Sequence, residues 1–460
     1  MKAWFLGILL LLAGLALAVG LWLLGYHIMG KQAFDAWKAG RAAMGDRVDW
    51  KDLVPPEVAP GENFAEAPMV RGSIVEKGQI DPRFKSLGVP KEVSEVLGNW
   101  REGRRDDLER IAGAYRKPSV NAALGPLAPA IAELEEASRR PACRFPVQYE
   151  AGEYPALIGF RATLRTLRIR ALSNLRSGQP DRALQDLQTC LRIAGHLKRE
   201  PHLISALLRI ASVNIALQVI WEGAEDRLWT ERHLEVLQAE LAAIDLLDTL
   251  QRAWQAERQG FITVWTATAE NQPKPEYWRS EGDRQVRLGV LGRGWFYRNL
   301  LVWCEFVTAM VEVQDPSAHR IFPNRRIDPS VWLKDMRYRK DLIMAQIALP
   351  ALTEQITRVG ELQAMVDQGI VVCALERHRL RLGRYPERLE SLAPVFLPAL
   401  PHDLVTGGSL RYRAEGDTFT LYQVGWNGED EGGQPGWSGE GKDRKRDAAL
   451  GDWVWPHASR

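Results

Sequence analysis

The sequence contains little cysteine. Only four of its 460 residues are cysteine, and their wide spacing, without a Cys-x-x-Cys pair, predicts neither a zinc site nor a redox motif. One interpretation is a disulfide formed outside the cytoplasm. The favoured interpretation is four unpaired, buried thiols that pack as small hydrophobic side chains. The four residues are Cys143, Cys190, Cys304 and Cys373.

Common catalytic motifs are also absent. None of the eight histidines belongs to a His-Glu-x-x-His helix, and the chain has no Gly-x-Ser-x-Gly elbow and no kinase signature. Three clustered carboxylates, Glu133, Glu135 and Glu136, are interpreted as an exposed helix face, and His402-Asp403 as an ordinary loop pair. We therefore expect a protein that is not an enzyme, although catalytic groups can also be assembled in space by the fold.

Charge of one sign is not in excess. The chain has 60 Lys and Arg against 58 Asp and Glu, a formal net charge of +2. A nucleic-acid protein needs surplus cations to displace phosphate counterions, so this class is disfavoured. A local basic cluster between Arg325 and Lys340 also contains Trp332 and Tyr338, and it could meet anionic lipid or polymer. Interspersed aspartates favour a solvated helix face instead.

The N-terminus carries the longest apolar run. The 24 residues from Ala3 to Tyr26 have no formal charge, and as a helix they would extend about 36 Å, enough to cross a hydrocarbon core of about 30 Å. Ala16-Leu17-Ala18 resembles a signal-peptide cleavage site, but the run continues past it. We predict a retained transmembrane anchor over residues 1–27. Flanking charges are balanced, and the short N-terminal tail favours a body outside the cytoplasm.

Two segments of different character follow the anchor. Residues 28–50 are charged and Ala-rich and predict a helical stalk, whereas the prolines from Pro55 to Pro60 break any helix. We predict a stalk and a Pro-rich irregular segment over 28–97. Phe64, Met69, Val70 and Ile74 are expected to pack on a neighbouring element.

Helical periodicity dominates residues 98–350. Apolar residues at steps of three or four predict a helix over 159–177, with Arg161, Arg165 and Arg168 on its polar face. A second helix begins near Asp181, and a third, over 201–223, is apolar nearly all round and therefore predicted to be buried in a bundle. Further helices are predicted near 230–247 and 249–270. A resemblance to one tetratricopeptide repeat rests on the small and apolar residues and turn glycine at Ala171, Gly178, Ala183, Leu187 and Cys190, but an ordinary antiparallel hairpin is favoured.

One glycine cluster in this region invites a different interpretation. Gly289, Gly292 and Gly294 are spaced like the glycines of a phosphate-binding loop. No Gly-Lys-Ser/Thr follows and no strand clearly precedes them, so we reject that interpretation.

Residues 351–460 are predicted to form a long helix and a small α+β module. A heptad of apolar residues recurs every seven positions, at Leu352, Val359, Val366, Cys373 and Leu380. Gln363 and Arg377 interrupt its seam, which favours a helix packed on a body over a coiled coil. A short helix near 389–392 and a hairpin of 410–413 with 418–424 follow. Glycine then accumulates, with eleven of the 39 between Gly407 and Gly451.

This order of elements resembles the C-terminal part of the major pseudopilin of type II secretion systems. The matching segments are Gly383–Pro386, Leu400–Asp403, the strand at Tyr412, Gly425–Gly433 and Asp452–Val454. The whole chain is also similar to single-pass bacterial membrane proteins that end in such a module. The pseudopilin leader and its Gly–Phe processing junction are absent from residues 1–26, so the resemblance does not imply filament assembly.

The resemblance implies a calcium ion in the Gly-rich loop, since that family holds one there. The matching ligands are Asn427, Asp430 and Asp452, with Asp443 and Asp447 as alternatives. Asn427 stands where the family has an aspartate, so that ligand would be neutral. A loop without metal is the alternative.

The combined expectation is a mainly α protein. It has an N-terminal transmembrane helix, a helical-bundle body with a TPR-like hairpin, and a small C-terminal α+β pseudopilin-like module. We expect a single-pass protein of a bacterial inner membrane that serves as an extracytoplasmic scaffold or binds another envelope protein. The alternatives are a component of a type II secretion or pilus-like system, and an envelope hydrolase, which a deep pocket with converging histidine and carboxylates would support.

Overall fold

The computed structural model describes residues 2–73, 87–151, 153–155, 157–272, 290–325, 354–441 and 444–457. Helices dominate these residues, and short strands occur mainly near the C-terminus, as expected. The α-helices are α1 (Lys2–Ala43), α2 (Pro68–Ser73), α3 (Lys91–Val96), α4 (Leu108–Ala114), α5 (Val120–Leu124), α6 (Ala128–Ser138), α7 (Ile158–Arg176), α8 (Pro180–His196), α9 (Leu203–Glu225), α10 (Glu231–Ala242), α11 (Leu246–Ala269), α12 (Val290–Glu312) and α13 (Glu354–Leu382). The strands are β1 (Gln314–Asp315), β2 (Arg320–Ile321), β3 (Arg411–Glu415), β4 (Thr418–Gln423), β5 (Pro435–Ser438), β6 (Lys445–Gly451) and β7 (Trp453–Val454).

Helix α1 is long and apolar enough to span a membrane. It is continuous over 42 residues, and none of its apolar window is buried inside the protein. Helix α9 also meets the length and hydropathy criterion, but 67% of its window is buried. The apolar first half of α1 is therefore exposed, and α9 is the core helix that its composition predicted.

The second half of α1 is helical, as predicted for the start of the stalk, and packs lengthwise on α12. Phe34 is 4% exposed and lies against the ring of Tyr297 at 5.8 Å. The helices come very close near Gly30 and Gly294, where a Cβ added to Gly294 would lie 2.5 Å from the Cα of His27. Gly294 thus allows a close helix crossing within α12, which begins at Val290, in keeping with the rejection of a phosphate-binding loop at these glycines.

A buried ion pair joins the end of α1 to the body. Asp46 follows the helix and accepts hydrogen bonds of 2.9 Å on each carboxylate oxygen from Arg258 of α11. Arg41 adds a third bond of 2.9 Å. Burial alone would raise the pKa of Asp46, but these guanidinium groups bring it below its ordinary value. The charged Asp46 therefore fixes the loop after α1 to α11.

Helices α7, α8 and α9 confirm the periodicity of the sequence. Gly178 has a φ of +72°, which ends α7 in a left-handed turn, and Pro180 opens α8 at its first turn. The predicted polar position of Arg168 is wrong. Its side chain is buried and binds both oxygens of Asp106, one of them at 2.7 Å, because α7 is covered on that side by the loop before α4.

The Pro-rich segment packs on the body as expected. Phe64, Met69 and Val70 are fully buried in a core cluster with Phe160 and Leu164 of α7. Ile74 lies outside the described residues. The four cysteines are unpaired, and all but Cys143 are buried.

Helix α13 packs on α10, α9 and α11, which confirms a helix on a body rather than a coiled coil. Val359, Val366 and Cys373 are buried, while Leu380 is exposed. Gln363, which interrupts the seam, is buried and accepts a 2.8 Å hydrogen bond from the backbone N–H of Leu246. Its amide therefore caps a neighbouring helix instead of facing a second coil.

The C-terminal module shares its core with the helices. Strands β3, β4 and β7 form one antiparallel sheet, and β5 pairs with β6 in another that the sequence did not predict. Trp455 is 1% exposed and meets Trp100 edge-on at 5.5 Å, while Trp221 donates a 2.8 Å hydrogen bond to the carbonyl of Pro456. One core thus spans both sides of the sequence boundary at residue 350, which itself lies outside the described residues.

Candidate functional site

An apolar cleft of about 710 Å³ lies between α10, α13 and the loop 394–401. Small side chains of α10, including Ala239 and Ala242, form one wall, and Ile370 of α13 forms part of the floor. Val395 stands on the rim and is 64% exposed. A cleft of this size with mainly apolar walls is typical of a binding site.

Buried hydrogen bonds hold the loop that closes the cleft. Gln238 of α10 and Arg377 of α13 each donate a 2.9 Å hydrogen bond to the carbonyl of Phe396. Arg377 also binds the side-chain oxygen of Gln238 at 3.1 Å. The arginine that broke the heptad seam therefore fixes the loop position, so the cleft is largely formed before any ligand binds.

A histidine–carboxylate pair lies at the floor of the cleft. His319 Nε2 is 3.0 Å from Oδ2 of Asp367, a residue of α13 that is only 3% exposed. Gln363 donates a 3.0 Å hydrogen bond to the other oxygen of Asp367. Burial lowers the pKa of His319, but the bond and charge of Asp367 outweigh it, so the pKa lies above its ordinary value.

The backbone of His319 is held in an uncommon conformation. Its φ is +49°, in the left-handed region at the turn between β1 and β2. Its carbonyl accepts a 3.0 Å hydrogen bond from His402, whose ring stands edge-on to that of His319. The turn is therefore held from both sides, by Asp367 through the side chain and by His402 through the backbone.

This arrangement supports hydrogen bonding and proton transfer more readily than covalent catalysis. With Nε2–H donating to Asp367, Nδ1 of a neutral His319 is an acceptor for a ligand donor or for water. No serine, threonine or cysteine is among the described residues that line the cleft. A side-chain nucleophile of the usual hydroxyl or thiol type is thus missing from this part of the fold.

The Gly-rich loop brings the carboxylate of Glu431 close to the buried carboxylate of Asp452. Asp452 is fully buried, and its Oδ2 accepts hydrogen bonds from the backbone N–H groups of Gly433 at 2.7 Å and Glu431 at 3.1 Å. Its Oδ1 and the Oε2 of Glu431 have no hydrogen-bond partner among the described residues. Burial, with the charge of Glu431, raises the pKa of Asp452 to about 6.

The three predicted metal ligands do not all face one point. Asp430 is turned towards Arg411 and Tyr422, from which it accepts hydrogen bonds of 3.2 and 3.0 Å. Asn427 donates its side-chain amide to Glu431. Of the three, only Asp452 keeps a buried oxygen that has no hydrogen-bond partner among the described residues. Within the described ranges, no group of three or more His, Cys, Asp or Glu has the arrangement of a metal site.

Other residues singled out in the sequence are hydrogen-bonded within the fold or lie on a helix surface. Asp403 is buried and accepts hydrogen bonds from the backbone N–H groups of Val405 and Val424, both at 2.9 Å. Glu136 is exposed as expected, but Glu135 is buried, because its helix packs that side on the body. Asp447 accepts a 3.0 Å bond from the N–H of Ala449.

Several sequence features lie outside the described residues. These are Asp443, Leu352 of the heptad and, apart from Arg325, the basic cluster up to Lys340.

Sequence reasoning missed His319, Asp367 and Glu431. His319 and Asp367 are 48 residues apart on a turn and a helix, so their contact depends on tertiary packing. Asp367 lies four residues after Gln363 on the same face of α13, and this pair of polar residues is a signal that could have pointed to the site. Comparisons with protein-family models, with curated proteins and with solved structures find no match to this chain.

Proposed function

We propose that this protein is anchored in a bacterial inner membrane by α1 and binds an apolar segment of another envelope protein in the cleft beneath loop 394–401. The observation that carries the proposal is the cleft itself, which is preformed and apolar and has an exposed rim at Val395. His319 at its floor supplies a polar group that can orient the bound segment.

The anchor supports this role because it is joined stiffly to the body. Helix α1 runs without interruption from its exposed apolar half into the half packed on α12. Arg298 of α12 lies over the ring of Tyr26 at 4.5 Å, where the apolar run ends. A cation and an aromatic ring together suit the membrane interface. The cleft would therefore be presented at a defined height above the bilayer, with the body outside the cytoplasm.

Site-specific photo-crosslinking in native membranes tests the proposal. A photoreactive phenylalanine analogue at Val395 lies on the cleft rim, and the same group at Ile204, an apolar residue 47% exposed outside the cleft lining, is the control. We expect a discrete crosslinked partner at Val395 that is absent at Ile204 and is reduced by Ala239→Trp, which fills the cleft. No partner above the control level would contradict the proposal.

We also propose that the Gly-rich loop binds calcium through Asp452 and Glu431. Their unpartnered buried oxygens suit a hard cation that prefers carboxylate and carbonyl ligands, whereas Asp430 is engaged by Arg411. Calcium should raise the melting temperature of the wild type, and Asp452→Asn should abolish that rise while Asp447→Asn keeps it. Equal calcium responses in both variants would contradict the assignment.

Three alternatives keep one supporting observation each. The contact of His319 with Asp367 favours an envelope hydrolase that activates water, and a panel of ester, phosphate and peptide substrates hydrolysed equally by wild type and His319→Gln would remove it. The order of elements in the C-terminal module favours a component of a type II secretion or pilus-like system, and the 158–196 hairpin favours a TPR-like interaction unit. Unchanged secretion in a strain lacking the whole chain would remove the secretion alternative.

A further inference from the structure

A second cavity, separate from the cleft, is lined by cations. It measures about 750 Å³ and lies where the C-terminal ends of α6 and α8 meet the Pro-rich segment. Five basic side chains line it, and none of the described lining residues is acidic. The five are Arg139, Arg140, Arg192, Lys198 and Arg199.

Most of this charge is not neutralised by the residues that the structure describes. Arg192, Lys198 and Arg199 make no hydrogen bond or ion pair with the described residues. Arg140 donates to the neutral backbone carbonyls of Pro60 and Asn63, at 3.0 and 2.8 Å. The side chains of Arg192, Lys198 and Arg199 can therefore bind a ligand, and Arg140 can do so through its nitrogens other than Nη1.

The nearby acids are engaged elsewhere. Glu136 pairs with Arg139 at 2.8 Å at the surface, and in the described part of the chain it is the one acid bound to a lining cation. Glu57 pairs with Arg144 at 2.9 Å, and Glu200 is buried against His202. Four of the five lining cations therefore lack an acidic partner among the described residues.

The walls of the cavity are held in place by a partly buried histidine. His196 ends α8, and its Nε2 lies 2.9 Å from the carbonyl of Ser138 at the end of α6, which joins the two helix ends. Its ring stacks on Phe64 at 4.3 Å. Burial, with the nearby charge of Arg192, lowers the pKa of His196. The cations thus project from a fixed frame.

Basic residues near helix C-termini also interact favourably with the helix dipole. That role alone does not explain this group, because Arg140 reaches across to the Pro-rich segment and the side chains of Arg192 and Arg199 bind no helix carbonyl among the described residues. Guanidinium groups match phosphate oxygens in a two-pronged geometry, and phosphate esters carry close to two negative charges.

We propose that this cavity binds a phosphate-bearing anion, with Arg192 and Arg199 as its principal ligands. The volume exceeds that of inorganic phosphate and suits a phosphorylated small molecule or a lipid phosphate headgroup. This site is independent of the cleft and of the partner proposed for it, so either assignment can fail without the other.

Binding to the full chain in neutral detergent micelles tests the proposal. Inorganic pyrophosphate is the soluble probe, dihexanoyl phosphatidic acid is the lipid-headgroup probe, and dihexanoyl phosphatidylcholine is the neutral control, all followed by titration calorimetry. We expect saturable binding of at least one phosphate probe, weakened by added salt. The tighter of the two probes identifies the source of the phosphate.

Variants on one helix supply the controls. Arg192→Glu and Arg199→Glu should each weaken binding tenfold or more, and Arg192→Lys should give an intermediate loss. Arg182→Glu, which reverses an exposed charge of α8 outside the cavity, should change the Kd less than twofold. Melting curves confirm that each variant is folded. The absence of saturable binding to both phosphate probes at low salt, or an equal loss with Arg182→Glu, would overturn the proposal.

Discussion

The joint between the anchor and the body should depend on Arg258. This side chain is fully buried and makes four hydrogen bonds of 2.9 Å, two to the carboxylate of Asp46, one to the hydroxyl of Thr308 and one to the carbonyl of Arg47. Arg258→Met keeps the apolar stem and removes the charge. Breaking one side of a buried pair costs about 3–5 kcal/mol. We expect about 3 kcal/mol, because Arg41 still pairs with Asp46.

Urea unfolding of the full chain in detergent, followed by tryptophan fluorescence, measures this loss. Arg232→Met is the matched control, since its pair with Asp181 is 73% exposed on both sides and should contribute less than about 1 kcal/mol. The double variant with Asp46→Asn should cost less than the two single changes added together, by about 1–3 kcal/mol. A loss below about 1 kcal/mol for Arg258→Met, or strict additivity, would refute the reasoning.

The pair also predicts a pH dependence with a definite sign. The pKa of Asp46 is lowered in the folded protein, so its contribution is present above the unfolded value of about 3.9 and is lost as pH falls through the folded value. The stability difference between wild type and Arg258→Met should therefore shrink below about pH 4. A difference that grows on acidification would contradict this assignment of charge.

Three further changes test the packing and the cleft. Gly294→Val places a Cβ against the backbone of His27 and should cost about 1–3 kcal/mol, whereas Gly40→Val has open space and should lose only helix propensity; equal melting temperatures would contradict the close crossing. Trp455→Ala should cost about 3–5 kcal/mol in urea unfolding, and a loss below about 1 kcal/mol would mean that the C-terminal module is not part of the core. His319→Gln should lower stability most below about pH 6.5, because the pKa of His319 is raised by Asp367 and the contribution is lost as pH rises through the folded value; a difference independent of pH between 5 and 9 would contradict the pair.

Local sequence signals that begin and end helices made part of this fold predictable. The boundaries of α7, α8 and α9 agree with the predictions within a few residues, because a regular apolar stripe, the glycine turn at Gly178 and the proline at Pro180 all act within one or two helical turns. The hairpin of β3 and β4 was predictable for the same reason. Each signal there is local in the chain.

The errors arose where distant segments meet. Residues 28–43 form the helix that the sequence predicts, but the sequence did not indicate that this helix packs on α12, which begins at Val290. Arg168 lies beside an apolar stripe and is covered by the loop that carries Asp106. Neither partner could be identified from the spacing within one segment.

In the candidate sites, too, the sequence could not predict which side chains would meet. Asp430 and Glu431 are adjacent, yet Asp430 faces Arg411 while Glu431 approaches the buried Asp452. In the cleft, the residues that the sequence treated as interruptions, Gln363 and Arg377, hold the site together. Side-chain direction, which depends on packing, decides both cases.

The central claim is that α1 anchors a body that meets its partner outside the cytoplasm. The most direct measurement is a pair of reporters fused after Arg460, alkaline phosphatase, which folds only outside the cytoplasm, and a fluorescent protein that matures only inside it. The account predicts an active phosphatase fusion in the membrane fraction and a dark fluorescent fusion. A fluorescent fusion with an inactive phosphatase would place the cleft in the cytoplasm and contradict the account.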